Sequence, residues 1–120
     1  MARVDKEVRW LLHEGQRLEA ESDLQGAVSA YQMARSIVPD YPRTLNRMGV
    51  DAYRVGRLEQ TEALIRKSID KEPDQCAYHK DLGNVYKRMK RYEEAKKSFC
   101  RALFLNPNFV EGHYDLGVLY

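Results

Sequence analysis

The sequence predicts an all-α repeat fold, and three observations lead to this prediction. Glycines recur every 34 residues, at Gly15, Gly49, Gly83 and Gly117. Prolines recur with the same spacing, at Pro39, Pro73 and Pro107. Between these positions, apolar residues fall three or four places apart, as they do on one face of an α-helix. Self-similarity with a period of this length indicates a chain of stacked structural units.

Each repeat is expected to contain two helices, because two apolar stripes separated by a turn fall within one period. In the third copy the first stripe contains Tyr78, Leu82, Val85, Tyr86 and Met89. The second stripe contains Tyr92, Ala95, Phe99 and Ala102. Applied to the whole chain, the pattern predicts about seven helices, near 5–20, 24–37, 43–55, 58–71, 76–89, 92–105 and 109–120.

Local signals mark the ends of these helices. Asp23 can cap the second helix by accepting a hydrogen bond from an unpaired backbone amide of its first turn. Gly56 can adopt the left-handed conformation that ends the third helix. Val38, Glu72 and Asn106 each precede a proline, which disfavours helical backbone and closes each repeat.

Small residues at the repeated positions predict close packing between helices. The residues concerned are Ala27, Gly49, Gly83 and Ala95. They are expected where two helices cross, because the missing bulk lets the backbones approach and a larger side chain would overpack the crossing. Tyr86 and Phe99 are expected to fill the core rather than to bind a ligand. One repeat cannot bury its own apolar face, so three or more occur together.

The third copy also carries a family motif, His79-x2-Leu82-Gly83-x2-Tyr86, then Ala95-x3-Phe99, then Pro107. The motif and the period resemble the tetratricopeptide repeat, a helix-turn-helix unit, over residues 8–120. The resemblance implies an α-solenoid, a right-handed superhelix of antiparallel helix pairs. Residues 1–120 would form a single domain, with repeats near 8–41, 42–75 and 76–109 and a half repeat at 110–120. Two positions depart from the family pattern, since Glu14 replaces an aliphatic residue and Ala52 a tyrosine.

The composition is close to charge balance. Twenty Lys and Arg residues against eighteen Asp and Glu residues give a net charge of +2, which does not indicate nucleic-acid binding. No apolar run is long enough to cross a membrane, so no membrane contact is expected. The N-terminal segment lacks the apolar stretch of a secretory signal. We therefore expect a cytoplasmic protein, although a mature fragment of an exported protein would look the same.

Catalytic motifs are missing from the sequence. It contains no glycine-rich phosphate loop, no nucleophile elbow and no paired-histidine zinc motif. His79 and His113 occupy equivalent places in successive repeats, where the family often has a large packing residue, and are too far apart to share a metal ion. Cys76 and Cys100 lack a zinc-binding spacing, and a disulfide between them is not expected. We predict no enzyme activity, no metal site and no cofactor.

The resemblance implies a binding surface on the concave face, which the first helix of each repeat lines in this family. The implied lining residues are Arg9, Leu12, His13, Gln16, Arg43, Asn46, Arg47, Val50, Tyr53, Arg54, Lys80, Asp81, Asn84, Lys87, Arg88, Glu111, Tyr114 and Asp115. The centre of this surface is basic, and its C-terminal end is acidic. Because arginine side chains bind carboxylates with two hydrogen bonds, we expect a protein or peptide segment of acidic character as the partner.

Ten of these residues are the main candidates for the peptide-binding groove: Arg43, Asn46, Arg47, Tyr53, Arg54, Lys80, Asp81, Asn84, Lys87 and Arg88. Arg43, Arg47 and Lys80 are expected to anchor the charges of the peptide. Asn46 and Asn84 are expected to pair with its backbone. The alternative is that all ten belong to ordinary solvated helix faces.

Two other binding modes were weighed. The carboxylate clamp of chaperone-binding relatives is similar in design, but its places here hold Leu12, Gln16, Arg47, Ala77 and Asp81, which do not match it. The basic run 87–91, flanked by Tyr86 and Tyr92, is compatible with phosphate contacts and base stacking. A solvated turn is favoured over nucleic-acid binding there, because Glu93 and Glu94 follow immediately.

The fourth copy stops after one helix, which leaves an apolar surface at Leu116, Leu119 and Tyr120. Either the chain is part of a longer array, which we favour, or it self-associates through that surface. The resemblance leaves two function classes, a protein-interaction scaffold and a substrate-recruiting arm of an enzyme such as a glycosyltransferase. Arrays joined to glycosyltransferases carry a ladder of asparagines, whose places here hold His13, Arg47, Asp81 and Asp115. The scaffold is therefore favoured.

Overall fold

Six α-helices make up the part of the chain that the structure describes. In this computed structural model the backbone is described for residues 2–108 and the side chains from Lys6 onward. The helices are α1 (Ala2–Ala20), α2 (Leu24–Ile37), α3 (Pro42–Arg54), α4 (Leu58–Lys71), α5 (Cys76–Arg88) and α6 (Tyr92–Leu105). The first six predicted helices are confirmed, with every boundary within three residues of its predicted place.

Several predictions fall outside the described residues. The seventh helix and the half repeat lie there. So do the candidate residues Glu111, Tyr114, Asp115, Leu116, Leu119 and Tyr120. The self-association surface and the acidic end of the groove therefore stay predictions.

The predicted signals at the helix ends are present. Asp23 accepts a hydrogen bond from the backbone nitrogen of Gly26 at 3.0 Å, which caps α2. Gly56 has a φ of +81°, the left-handed backbone expected just after α3. Val38, Glu72 and Asn106, the residues before the prolines, follow directly after α2, α4 and α6 with extended or other non-helical backbone.

The helices stack as three hairpins. α1 packs against α2, α3 against α4 and α5 against α6, and the short connections make the members of each pair antiparallel. Successive hairpins are joined where α2 meets α3 and where α4 meets α5. α3 also touches α5, so the first helices of these neighbouring repeats lie side by side. The arrangement is an α-solenoid, as the sequence predicted.

The repeated glycines lie where helices cross closely. A Cβ atom at Gly83 would lie 2.6 Å from Cε1 of Phe99, whose side chain is fully buried. At Gly49 the nearest atom, Cγ1 of Ile65, would be 3.0 Å away. A side chain is therefore excluded at Gly83 and merely tight at Gly49. The predicted role of these glycines in packing is confirmed.

Two apolar clusters form the core. One joins α1 to α2 and consists of Val8, Leu11, Leu12, Ala27, Tyr31 and Ala34. The other joins α4, α5 and α6 and consists of Ile65, Tyr78, Leu82, Val85, Tyr86, Ala95, Phe99 and Ala102. His79 is buried, and its Nε2 lies 2.8 Å from the carbonyl oxygen of Pro73, so it packs and pairs locally.

Candidate functional site

Two adjoining hollows lie on the face formed by the first helices of the repeats. The basic hollow is bounded by α1, α3 and the start of α5, and it is lined by Arg9, Leu12, His13, Gln16, Arg43, Asn46, Arg47, Gln75, Ala77 and Tyr78. The apolar hollow is bounded by α3, α4 and α5, and it is lined by Val50, Tyr53, Arg54, Thr61, Ile65, Asp81, Asn84 and Val85. Their volumes are about 270 and 240 Å³, respectively.

Positive charge dominates the basic hollow. Arg9, Arg43 and Arg47 line it, and no carboxylate does. None of the three forms an ion pair with a residue that the structure describes. With its amide oxygen turned toward Arg47, Gln16 accepts hydrogen bonds from Nε and Nη2 of that residue at 2.9 and 2.8 Å. A neutral acceptor orients the guanidinium without cancelling its charge, so the hollow keeps a positive charge.

A hydrogen bond separates the two hollows. Nδ2 of Asn46 donates to Oδ2 of Asp81 at 3.1 Å and so ties α3 to α5. Asn46 is buried, with 7% of its surface exposed. Asn46 can therefore pair with a peptide backbone, as predicted, only if this bond opens or if its side-chain oxygen accepts a hydrogen bond from the peptide. Asn84 is half-buried in the wall of the apolar hollow.

Arg54 belongs to a charged cluster that joins the first two repeats. Its Nη2 donates to Oε2 of Glu19 at 3.3 Å, and its Nη1 lies 3.6 Å from Oδ1 of Asp51. The hydroxyl of Tyr31 donates to Oε1 of Glu19 at 2.6 Å. Burial raises the pKa of Asp51 to about 7, and the negative charge of Glu19 contributes to the shift. Arg54 thus lines the apolar hollow with its charge already compensated.

Neither side-chain oxygen of Asp51 accepts a hydrogen bond from a donor in the described part of the chain, and both are buried. A proton held between Asp51 and Glu19 would satisfy one oxygen of each carboxyl group. Two carboxyl groups that share a site cannot both ionise easily. A pKa of about 7 means that Asp51 is about half protonated near neutral pH, and Arg54 faces this cluster.

The remaining candidate residues lie beside the hollows or further along α5. Lys80, Lys87 and Arg88 line neither hollow. Arg88 donates from Nη1 to the carbonyl oxygen of Tyr53 at 2.8 Å, and its guanidinium carbon lies 4.6 Å from the centre of the Tyr53 ring. This pair therefore joins the second repeat to the third.

The basic run 87–91 is partly neutralised within the protein. Nη1 of Arg91 donates to Oε1 of Glu62 at 3.3 Å, and its Nε donates to Oε1 of Glu94 at 2.7 Å. The guanidinium of Arg91 also lies over the ring of Tyr86, 4.7 Å from its centre. These contacts with protein groups favour the solvated-turn interpretation over nucleic-acid binding.

Sequence reasoning missed several residues of the hollows. The basic hollow gains Gln75, Ala77 and Tyr78 from the start of α5, and the apolar hollow gains Thr61, Ile65 and Val85 from its floor. Ile65, Tyr78 and Val85 fall at core positions of the helical stripe, so nothing in the pattern marks them as also facing a hollow.

A signal that reaches across the repeats was available in the sequence. Each of three polar contacts joins residues 35 places apart, one more than the period. The pairs are Glu19 with Arg54, Asn46 with Asp81, and Tyr53 with Arg88. Complementary polar residues at this spacing identify the groove side of the first helices.

Metal binding and membrane insertion have no support in the described residues. No three His, Cys, Asp or Glu side chains there are gathered as a metal site requires. Cys76 and Cys100 are free thiols. Over the same residues, no helix combines the length and the apolar character needed to span a bilayer.

Comparison with known sequences identifies repeats of one kind. Residues 83–120 match the family model described as TPR repeat. The chain is 30% identical over 79 residues to the inactive TPR repeat-containing thioredoxin TTL3 of Arabidopsis thaliana, which covers 66% of this chain and 11% of that protein. The chain spans about a tenth of the length of the curated relatives that it matches.

Solved structures show the same architecture. An O-GlcNAc transferase of Thermobaculum terrenum superposes with a TM-score of 0.91 and 25% identity, over 98% of this chain and 22% of that one. The first TPR of Spaghetti (RPAP3), bound to the HSP90 peptide SRMEEVD, superposes with a TM-score of 0.88 and 18% identity, over 95% of this chain and 90% of that one. With the 34-residue period, the packed glycines and the three helical hairpins, these matches show that the chain belongs to the tetratricopeptide repeat family.

Proposed function

We propose that this chain is a non-catalytic module for protein–protein interaction that binds an acidic peptide segment on the face of α1, α3 and α5. The observation that carries the proposal is the basic hollow, where three arginines meet and no carboxylate lines the wall. An ordinary solvated surface mixes charges of both signs, as this chain does elsewhere. Uncompensated positive charge in a concave site favours a ligand with carboxylates.

The geometry of the arginines suits the binding of carboxylates through paired hydrogen bonds. A guanidinium presents a planar fork that can donate two parallel hydrogen bonds to one carboxylate. Gln16 already holds Arg47 by Nε and Nη2, which pre-orients the group before a ligand arrives. Arg43 and Arg47 lie four residues apart on α3, so both are on one face of that helix. Two acidic side chains could each pair with one of these arginines, or a single acidic side chain could lie between the two.

A peptide partner also agrees with the structural comparison. The RPAP3 domain, which shares the fold, is bound to a peptide whose sequence SRMEEVD contains three acidic residues. That ligand belongs to that protein, and the positions of its family's carboxylate clamp are not matched here by Leu12, Gln16, Arg47, Ala77 and Asp81. We therefore propose acidic segments as the class of partner and do not extend the proposal to a chaperone terminus.

Titration of fluorescent peptides tests the proposal. Glu-rich peptides should bind the wild-type protein, and Arg47→Ala should weaken binding by about 10- to 150-fold, since a charge-assisted hydrogen bond contributes roughly 1.5–3 kcal/mol. Raising the salt concentration should weaken binding further, because exposed charges are screened. Reversal of Arg43 and Arg47 to glutamate should abolish the binding of these Glu-rich peptides.

A matched control separates the groove from the general charge of the protein. Arg35→Ala removes one positive charge from α2, a helix that lines neither hollow. Its affinity for the peptides should equal that of the wild type. If Arg47→Ala and Arg35→Ala have the same effect, or if neither changes the affinity, the basic hollow is not the binding site.

A second candidate function is a substrate-recruiting arm of a larger enzyme. The match to the O-GlcNAc transferase of Thermobaculum terrenum favours it, because that structure covers nearly all of this chain at 25% identity. His13, Arg47 and Asp81 stand where asparagines are expected in such arrays, which favours the interaction module. The length of the natural gene product separates the two, since only the second candidate requires an attached catalytic domain.

A further inference from the structure

We propose that the apolar hollow is a second subsite of the same groove, which takes one aliphatic side chain of the peptide whose acidic group enters the basic hollow. This inference rests on the proposed function and specifies the partner more narrowly. It predicts a segment with two determinants, one acidic and one aliphatic, held side by side along α3.

The walls of the apolar hollow suit an aliphatic side chain. Val50, Tyr53, Ile65 and Val85 supply its apolar surface. Its volume of about 240 Å³ exceeds the roughly 150 Å³ of an apolar cavity that accommodates benzene. Ile65 and Val85 are each 1% exposed and belong to the core, so the floor is already formed before a ligand binds. A preformed apolar site binds without the cost of ordering its own side chains.

The charged residues at the rim of the apolar hollow are already bonded to other protein groups, so they can stabilise a charged ligand only weakly. Arg54 is paired with Glu19 and lies beside Asp51. Asp81 accepts the hydrogen bond of Asn46. An acidic side chain placed here would meet Asp81 and a compensated arginine, whereas an aliphatic one would bury its surface against the floor. The two hollows therefore favour different chemistry.

Position along α3 sets the spacing of the two determinants. Arg43 and Arg47 border the basic hollow, and Val50 and Tyr53 border the apolar one. The midpoints of these pairs are about six residues apart, or roughly 10 Å along a helix that rises about 1.5 Å per residue. An extended peptide advances about 3.3 Å per residue. The acidic and aliphatic residues should thus be about two to four positions apart in a segment that follows α3.

Selection from a displayed random-peptide library tests the inference without a known partner. The wild-type protein should enrich peptides that contain an acidic residue and a Leu, Ile, Val or Met about two to four positions away. Val50→Asn makes the apolar hollow polar and should remove the aliphatic preference while the acidic one persists. The double variant Arg43→Glu, Arg47→Glu should do the opposite. This reciprocal loss identifies two subsites.

Titration with the enriched peptides supplies the magnitude. Replacing the aliphatic residue by serine should weaken binding to the wild type by about tenfold or more, and should have little effect on binding to Val50→Asn. Val50→Leu provides a second variant that keeps the surface apolar. It should reduce the hollow and shift the preference from leucine toward valine or alanine, which a change caused by unfolding would not do.

The outcomes separate this inference from the proposed function. Acidic enrichment without an aliphatic preference would retain the proposed function and overturn the second subsite. Enrichment of neither determinant would overturn both. An aliphatic preference that survives in both Val50→Asn and Val50→Leu would place the aliphatic contact elsewhere and also overturn the inference.

Discussion

Replacement of Asp51 by asparagine should make this protein more stable at pH 8 and leave its stability nearly unchanged in acid. Asp51 is a buried carboxyl group, with 14% of its side chain exposed, and neither of its oxygens receives a hydrogen bond from a donor in the described residues. Burial and the nearby charge of Glu19 raise its pKa from 3.8 to about 7. An asparagine would keep the shape and would offer an amide donor to Glu19.

The sign of the effect follows from the direction of the shift. A folded-state pKa above the unfolded one means that the folded protein holds its proton more tightly. The stabilisation that results is complete below pH 3.8 and is lost as the pH rises through about 7. For a pKa that moves from 3.8 to about 7, this group should lower the free energy of unfolding by roughly 2–3 kcal/mol between pH 5 and pH 8.

Urea denaturation of wild type and Asp51→Asn at several pH values between 5 and 8.5 measures this difference. The free energy of unfolding of the variant should increase relative to that of the wild type as the pH rises. This difference should level off above about pH 8. Carboxyl groups away from this cluster are the same in both proteins, so the difference reports Asp51 together with its interaction with Glu19. Asp40→Asn is the matched control, because it makes the same substitution at a carboxyl group that is exposed to solvent.

A difference that is flat between pH 5 and pH 8 would refute the reasoning, since Asp51 would then have the same pKa in the folded and unfolded chain. A difference of opposite sign would show that the charged form is stabilised by Arg54 more than burial disfavours it. In that case the proton shared between Asp51 and Glu19 would not exist at neutral pH.

Two further predictions concern packing and helix ends. Gly83→Ala should lower the free energy of unfolding by ~1–3 kcal/mol, because its Cβ would lie 2.6 Å from Phe99. Gly49→Ala, with a nearest contact of 3.0 Å, should leave the stability nearly unchanged, because the better helix propensity of alanine offsets the tight contact. Urea denaturation measures both variants, and equal losses of stability would contradict the expected contrast. Asp23→Ala should cost ~1 kcal/mol by removing the cap of α2, whereas Asp23→Asn should retain most of it; thermal unfolding of both variants checks this.

Much of the fold could be read from the sequence, because helix boundaries depend on local chemistry. The cap at Asp23 and the left-handed Gly56 act within one turn of chain, and both are present as predicted. The 34-residue period then aligned the repeats and pointed to Gly49 and Gly83 as crossing points. The groove face followed from the same alignment, and seven of the ten candidate residues line one of the two hollows.

The sequence does not show in the same way which groove residues already have partners within the protein. Asn46 and Arg54 look like free polar groups in the sequence, yet one is bonded to Asp81 and the other to Glu19. These contacts join successive repeats at a spacing of 35 residues and depend on the angle at which successive first helices pack, so no pattern within a single helix encodes them. The position of a residue in its helix determines the face on which its side chain lies. The partner of that side chain, however, belongs to the neighbouring repeat.

The sequence was therefore sufficient for the repeat unit, its helices and its close-packed positions, since these depend on interactions within about one turn and on a pattern that repeats. Stacking of the repeats decided which charges are compensated. It paired Arg54 with Glu19 and Asp51, and it left Arg43 and Arg47 without an ion pair to a carboxylate in the described part of the chain. Electrostatic interactions depend on distance and burial in three dimensions, and so the division of the groove into a basic and an apolar hollow emerges only when the helices are packed.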